Sequence, residues 1–158
     1  MSSWVDLVTQ HPANAALARY FAARRGRPEQ SAVAKPEDVQ DPYYSLGTHP
    51  DLVARLWDEL GKALPVDCRA VFHGTPALIH PTTGVVFGFA GGTHTYALRL
   101  PEPEREEALR AGAQRIMTYP KSPALDVSQF GDEWVLCRWF ADEDAWCRAA
   151  FELAAPLH

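Results

Sequence analysis

Hydrophobic and polar positions follow two different periods along the chain, and these periods separate predicted helices from predicted strands. In "THPDLVARLWDELGKALP" the apolar residues recur three and four positions apart, which is typical of a helix with one buried face. The members of that face are Leu52, Val53, Leu56, Trp57 and Leu60. In contrast, "CRAVFH", "PALIH", "VVFGFA" and "THTYALRL" are short apolar runs joined by short loops. Short loops favour antiparallel strands that follow one another as a meander.

Helix signals also flank this block of strands. "HPANAALARYFAARRGRP" has Pro12 in its first turn and Gly26 after its last, "EPEREEALRAG" ends at Gly112, and "DEDAWCRAAFELAAPL" has Asp142 as its cap. "RIMTY" and "EWVLCRWF" predict two further strands. This order predicts an α+β fold, with an antiparallel meander sheet, helices packed on one face, and an N-terminal helical arm.

The stretch after the first of these helices contains three prolines and no periodicity, so it predicts a connector. We expect residues 1–45 to form the arm and its linker and residues 46–158 to form a single α+β domain. The apolar residues Leu17 and Phe21 share one side of the arm helix. We therefore expect the arm to dock, either on its own chain or on a partner.

The stretch "VVFGFAGGTHTYALRL" allows two interpretations, a glycine loop that binds a ligand or the corner of a hairpin. A phosphate-binding loop needs a helix start behind it, whereas here a strand follows. With Gly91 and Gly92 at the turn, Phe87 would oppose Tyr96 and Phe89 would oppose His94. That register predicts one buried face and a smaller, more polar opposite face. The buried face would comprise Phe87, Phe89, Tyr96, Leu98 and Leu100.

Net charge, apolar runs and cysteine content limit the kinds of partner and the cellular compartment that we expect for this chain. The chain has 158 residues and a formal net charge of -5, so we expect no broad attraction to nucleic acid or to an anionic membrane. The basic cluster from Arg19 to Arg27 lies where a helix ends, which suits the helix dipole. No run approaches the roughly 20 apolar residues of a membrane span. Three cysteines without a pairing pattern favour a reducing, cytoplasmic location.

Four residues are candidates for ligand binding: His73, His94, Arg99 and Arg138. His94 could exchange protons at the mouth of a pocket, or its ring could simply pack beside Phe89. Arg99 and Arg138 are both on predicted strands and could together hold an anion, or each could be solvated or paired with an acid. No spacing of histidines or cysteines fits a metal site, and no catalytic or cofactor-binding motif occurs. We therefore predict no catalytic residue, metal or cofactor.

The cysteines are expected to differ in exposure. Cys137 alternates with Val135 and Trp139 along its strand, so it is predicted to pack as a small apolar side chain. Cys147 follows Trp146 on the last helix and is predicted to be the most accessible thiol.

From about residue 51 to the end, the chain resembles the TfoX N-terminal and MmcQ/YjbR-like small α+β domains. The resemblance rests on the order of "ELGKALP", "RAVFHGTPALIH", "TGVVFGFAGGTHTYALRLP", "EREEALRAGA", "IMTYP", "EWVLCRWF" and "DAWCRAAFELA". It implies a non-enzymatic module linked with regulation or with nucleic-acid binding. The N-terminal arm and the negative net charge are departures from that group.

These observations favour a non-enzymatic regulatory or protein-interaction module, with a protein partner or self-association through the N-terminal arm. Two alternatives remain open. One is a small enzyme whose groups, such as His73, His94 or Cys147, converge only in the folded chain. The other is a nucleic-acid-binding regulator that uses the basic cluster or the arginines of the sheet.

Overall fold

The computed structural model describes residues 3–25, 32–91, 95–115, 131, 133–138 and 143–155. Within these residues the helices are α1 (Trp4–Gln10), α2 (Ala15–Arg25), α3 (Pro50–Ala54), α4 (Glu102–Ala111) and α5 (Glu143–Leu153). The strands are β1 (Val33–Ala34), β2 (Arg69–Phe72), β3 (Thr75–Ile79), β4 (Val86–Gly91), β5 (Thr95–Arg99), β6 (Gln114–Arg115) and β7 (Trp134–Cys137). Short 3-10 turns span Pro12–Asn14, Pro36–Asp38, Leu60–Ala63 and Val66–Cys68, and a π-helical turn, Arg55–Glu59, continues α3.

The strands of the described residues form one sheet in the order β1-β2-β3-β4-β5-β7-β6. Every neighbouring pair is antiparallel, and β1 to β5 follow one another as a meander. The predicted α+β class and the meander are therefore confirmed. The connector, for which the sequence predicts no regular element, contributes the edge strand β1.

One face of the sheet is covered by α3, α4 and α5. The apolar side of α3 and its π-helical turn, with Leu52, Leu56 and Trp57, is buried against Leu78 of β3 and Leu98 of β5. Local signals set the ends of these helices. The His49 Nδ1 atom accepts a hydrogen bond from the Asp51 amide at 3.1 Å at the start of α3. Gly112 ends α4 at φ 116°, a conformation that glycine adopts at little cost.

The N-terminal arm covers the opposite face of the same sheet. Leu17 and Phe21 of α2 share a buried cluster with strand residues, among them Phe72 and Phe89. The Phe21 ring lies edge-on to both aromatic rings, with centroids 6.1 Å and 5.0 Å away. The arm therefore docks on its own chain in this structure, and α1 precedes the helix that the sequence predicts.

The hairpin of β4 and β5 is confirmed, but its predicted register is wrong. Gly91 pairs with Thr95 as a strand residue, and Gly88 pairs with Leu98. A β-bulge at Leu78 and Ile79 also interrupts the pairing of β3 with β4. Residues 92–94, which include Gly92 and His94, lie outside the described residues.

The corrected register divides the predicted buried face between two cores. Phe87 packs with Tyr96 and Leu98 under the helices, whereas Phe89 packs under the arm. Val86 and Ala97, which were predicted to lie on the smaller and more polar face, are buried in the same core as Phe89. The predicted register is wrong because helices cover both faces of the sheet. Apolar residues are therefore buried on both sides of the strands, and their alternation does not identify a single buried face.

Candidate functional site

A surface groove of about 400 Å³ lies between the connector before α3 and the 3-10 turn before β2. One wall consists of Lys35, Pro36, Glu37, Val39 and Pro42, and the other of Val66, Asp67 and Arg69. Pro36 begins the 3-10 turn of the first wall, and Pro65 precedes the turn of the second. Because proline fixes its backbone angle φ, both turns hold their side chains on a stiff backbone.

Lys35 connects the two walls of the groove to the N-terminal arm. Its Nζ atom donates a hydrogen bond to the Asp67 carbonyl oxygen at 3.2 Å. The same ammonium group lies 3.9 Å from the centroid of the Trp4 ring, a cation–π contact. The arm, the connector and the turn before β2 therefore meet at one lysine.

Arg69 is held in the second wall by the carboxylate of Asp58, which the Tyr43 hydroxyl also contacts. Its Nη1 atom contacts Asp58 Oδ1 at 3.2 Å, and the Tyr43 hydroxyl donates to both oxygens of Asp58 at 2.9 and 3.0 Å. The Tyr43 ring is edge-on to Trp57 at 5.4 Å. Burial, together with the hydrogen bond to Asp58 and the charge of that residue, raises the pKa of Tyr43, so the phenol remains a donor.

Two carboxylates in the groove have no such partner. The side chains of Glu37 and Asp67 form no hydrogen bond or ion pair with any residue in the described part of the chain. Beside them in the groove, Val66 is 68% exposed. The groove thus presents hydrogen-bond acceptors and apolar surface to an incoming molecule.

The structure does not bring together the three described residues that were predicted to bind a ligand, His73, Arg99 and Arg138. His73 lies in the turn between β2 and β3 at φ 48°, with its ring edge-on to Phe72 at 4.8 Å. Burial lowers the pKa of His73, which favours the neutral ring. His94 lies outside the described residues, so its predicted place beside Phe89 has no counterpart here.

The two predicted arginines lie at different ends of the β5–β7 pair. Arg99 is opposite Trp134 and contacts the Glu133 carboxylate through Nε at 3.2 Å and Nη2 at 3.1 Å. Arg138 follows β7 and is exposed. Four residues of strand separate Trp134 from Arg138, which is roughly 13 Å at the usual rise. Arg99 is therefore paired with an acid, and the structure forms no shared anion site from the two arginines.

A buried ion pair, which the sequence analysis missed, links α5 to the π-helical turn after α3. Glu143 is 0% exposed, and its Oε1 atom accepts a hydrogen bond from Arg55 Nη2 at 2.7 Å. Arg55 also contacts Glu59 Oε1 at 3.1 Å, one helical turn away. Because Arg55 and Glu143 are 88 positions apart, no local pattern indicates this pair.

The prediction that Cys147 is the most accessible thiol is wrong. All three cysteines are free and buried, and Cys147 is fully inside the core with Trp146 and Ala150. The sequence places Cys147 correctly on α5 but does not show which side of the helix faces the sheet. Burial raises the pKa of each thiol to about 12, so all three remain protonated at neutral pH. The predicted apolar packing of Cys137 is confirmed.

Among the described residues, no group of three histidine, cysteine, aspartate or glutamate side chains could hold a metal ion. In the same part of the chain, no helix has the length and apolar character needed to cross a membrane. No family model matches the chain, and searches of curated proteins and of solved structures gave no significant match. The resemblance to TfoX N-terminal and YjbR-like domains therefore stays a prediction.

Proposed function

We propose that this protein is a non-enzymatic protein-interaction module with a regulatory role, and that the groove between residues 35–42 and 66–69 binds its partner. The observation that carries the proposal is the exposed Val66 beside the carboxylates of Glu37 and Asp67, which have no partner among the described residues. Apolar contact area with a few polar groups at its rim is the usual composition of a protein interface. The groove volume of about 400 Å³ suits side chains that project from a partner.

The geometry of the predicted reactive residues favours binding over catalysis. A nucleophilic cysteine acts as a thiolate and must be accessible, whereas Cys147 is buried and protonated. His73 lies in the turn between β2 and β3 and does not line the groove. A cytoplasmic location is part of the proposal, since three unpaired thiols are compatible with a reducing compartment.

A selection from a phage-displayed library of random dodecapeptides tests this proposal. We expect selection on the wild-type protein to enrich related sequences, and the Val66→Glu variant to bind the enriched peptides about tenfold more weakly or worse, because the charge replaces the apolar contact. Fluorescence anisotropy of a labelled enriched peptide provides the measurement.

Val5→Glu is the matched control, because Val5 is also an exposed valine, at 45%, and does not line the groove. We expect this variant to bind the labelled peptide as the wild-type protein does. The proposal fails if no related sequences are enriched, or if Val66→Glu and Val5→Glu bind the peptide equally well.

A further inference from the structure

The charges of the groove suggest what kind of partner it binds, and this inference rests on the proposed function. Among the described residues, four charged side chains line the groove, two cations and two anions. Both cations are engaged, Lys35 by a carbonyl oxygen and the Trp4 ring, and Arg69 by Asp58. The carboxylates of Glu37 and Asp67 are without a partner in the described residues. Among the described residues, the carboxylates of Glu37 and Asp67 are therefore the charged groups of the groove that have no counter-charge and remain available to an incoming donor.

The residues in and around the groove also include more acidic than basic side chains. In residues 35–42, 58 and 66–69 there are five acidic side chains against two basic ones. The acidic residues are Glu37, Asp38, Asp41, Asp58 and Asp67, and the basic residues are Lys35 and Arg69. The local excess of negative charge attracts cations and repels anionic partners.

The apolar walls limit which cation fits. Val39, Val66 and the two prolines line the same groove as the carboxylates of Glu37 and Asp67. Arginine and lysine side chains bury their alkyl stems along apolar surface while the charged group reaches an acceptor. A hydrated metal ion would leave these walls uncovered, whereas a long basic side chain would cover them.

The edge strand next to the groove limits how a partner can place a basic side chain there. β1 has only two residues and is followed by Lys35 and Pro36, which are features that discourage the addition of another strand. The groove lies immediately after this edge strand. Side chains, not a continuous ladder of backbone hydrogen bonds, must therefore provide the recognition.

We propose that the groove binds a basic segment of another protein, in which an arginine or lysine adjoins an aliphatic residue. The basic group contacts the carboxylates of Glu37 and Asp67, and the aliphatic residue packs on Val66 and Val39.

An array of synthetic nonapeptides tests this assignment. The central residue is Arg, Lys, Gln or Glu, and its neighbours are either leucines or serines. We expect the Arg and Lys peptides with leucine neighbours to bind best, and their affinity to fall as NaCl is raised from about 50 to about 500 mM, because salt screens exposed charges. The Glu37→Gln/Asp67→Asn double variant should bind them about tenfold more weakly.

A charge-reversal variant and a matched control variant complete the test. Glu37→Lys/Asp67→Lys should prefer the Glu peptides, whereas Glu106→Gln/Glu107→Gln removes two exposed charges on α4 and should bind as the wild-type protein does. Equal weakening by both neutral double variants would indicate attraction by net charge alone and overturn the inference. Neutral or acidic peptides that bind through Val66 would overturn it while leaving the proposed function intact. A dimer of this chain that Glu37→Gln/Asp67→Asn abolishes would also overturn it, in favour of a second copy.

Discussion

His80 shows how one buried side chain makes the stability of this fold depend on pH. It follows β3, is buried, and stacks on Phe151 of α5 with ring centroids 4.8 Å apart. Its Nδ1 atom accepts hydrogen bonds from the amides of Thr82 and Thr83 at 3.1 and 3.4 Å. Protonation of Nδ1 would remove both acceptor contacts. The folded chain therefore holds this ring in its neutral form.

Burial lowers the pKa of His80 in the folded chain. In the unfolded chain the ring binds a proton near its ordinary pKa of about 6.5. Between the two pKa values the unfolded state binds more protons, so the free energy of unfolding decreases as the pH falls below about 6.5 through the folded value. As the pH falls from about 7.5 to about 5.5, we expect the free energy of unfolding to decrease less in His80→Asn than in the wild-type protein. Urea denaturation at each pH provides the measurement.

His80→Gln is the companion variant for this prediction. Both substitutions remove the titrating ring, but only the asparagine oxygen can take the place of Nδ1 as acceptor for the amides of Thr82 and Thr83. At about pH 7.5, His80→Asn should therefore be the more stable of the two. If both variants keep the full dependence on pH, His80 is not its source, and His73, whose pKa burial also lowers, becomes the next residue to test.

At the scale of elements, local sequence signals predict the helices and the order of the strands. The helix periodicity of α3 needs only neighbouring residues, and Leu52, Leu56 and Leu60 are buried as predicted. Short loops likewise predict the meander, because they cannot connect parallel strands. The register of β4 and β5 could not be predicted in this way. Their apolar residues are buried on both faces, so alternation gives no preferred side.

The candidate site was much less predictable than the fold. The walls of the groove come from residues 35–42 and 66–69, which only the tertiary structure brings together. Neither segment contains a motif, and none of the predicted ligand-binding residues that the structure describes, His73, Arg99 and Arg138, lines the groove. The one local signal is the composition of the connector, which is rich in prolines and acidic residues. That signal indicates a surface segment but not its partner.

The ion pair of Arg55 and Glu143 gives a prediction for the contact between the π-helical turn and α5. Arg55→Met removes the arginine that pairs with the buried carboxylate of Glu143, so we expect the free energy of unfolding to fall by about 3–5 kcal/mol in urea denaturation. Glu59→Gln removes the half-exposed partner of the same arginine and should cost less than about 1 kcal/mol. Arg55→Met/Glu143→Leu should be more stable than Arg55→Met, because no buried charge remains. Equal losses in Arg55→Met and Glu59→Gln would contradict this account.

At the scale of the whole molecule, the arm closes the second face of the sheet. Asn14 is buried at the junction, where its amide nitrogen donates to the carbonyl oxygens of Val8 and Gly84, each at 2.8 Å. Its side-chain oxygen accepts from the Val86 amide at 2.9 Å. The contact between Trp4 and Lys35 also connects the arm to the first wall of the groove. Release of the arm would therefore expose an apolar core and alter the first wall of the groove.

Gly84→Ala tests this closure, because a Cβ atom at that position would lie 2.8 Å from the Leu7 carbonyl carbon and 2.9 Å from the Val8 nitrogen. Gly131→Ala is the control, since Gly131 also has positive φ but its added Cβ would meet no atom of the described residues within 4 Å. Both variants carry backbone strain, but only Gly84→Ala displaces α1, so we expect it to be less stable than the control by about 1–3 kcal/mol. Hydrogen exchange should also quicken in residues 4–21 of Gly84→Ala alone. Equal stability and equal exchange in the two variants would mean that the arm does not depend on this close contact with the β3–β4 loop.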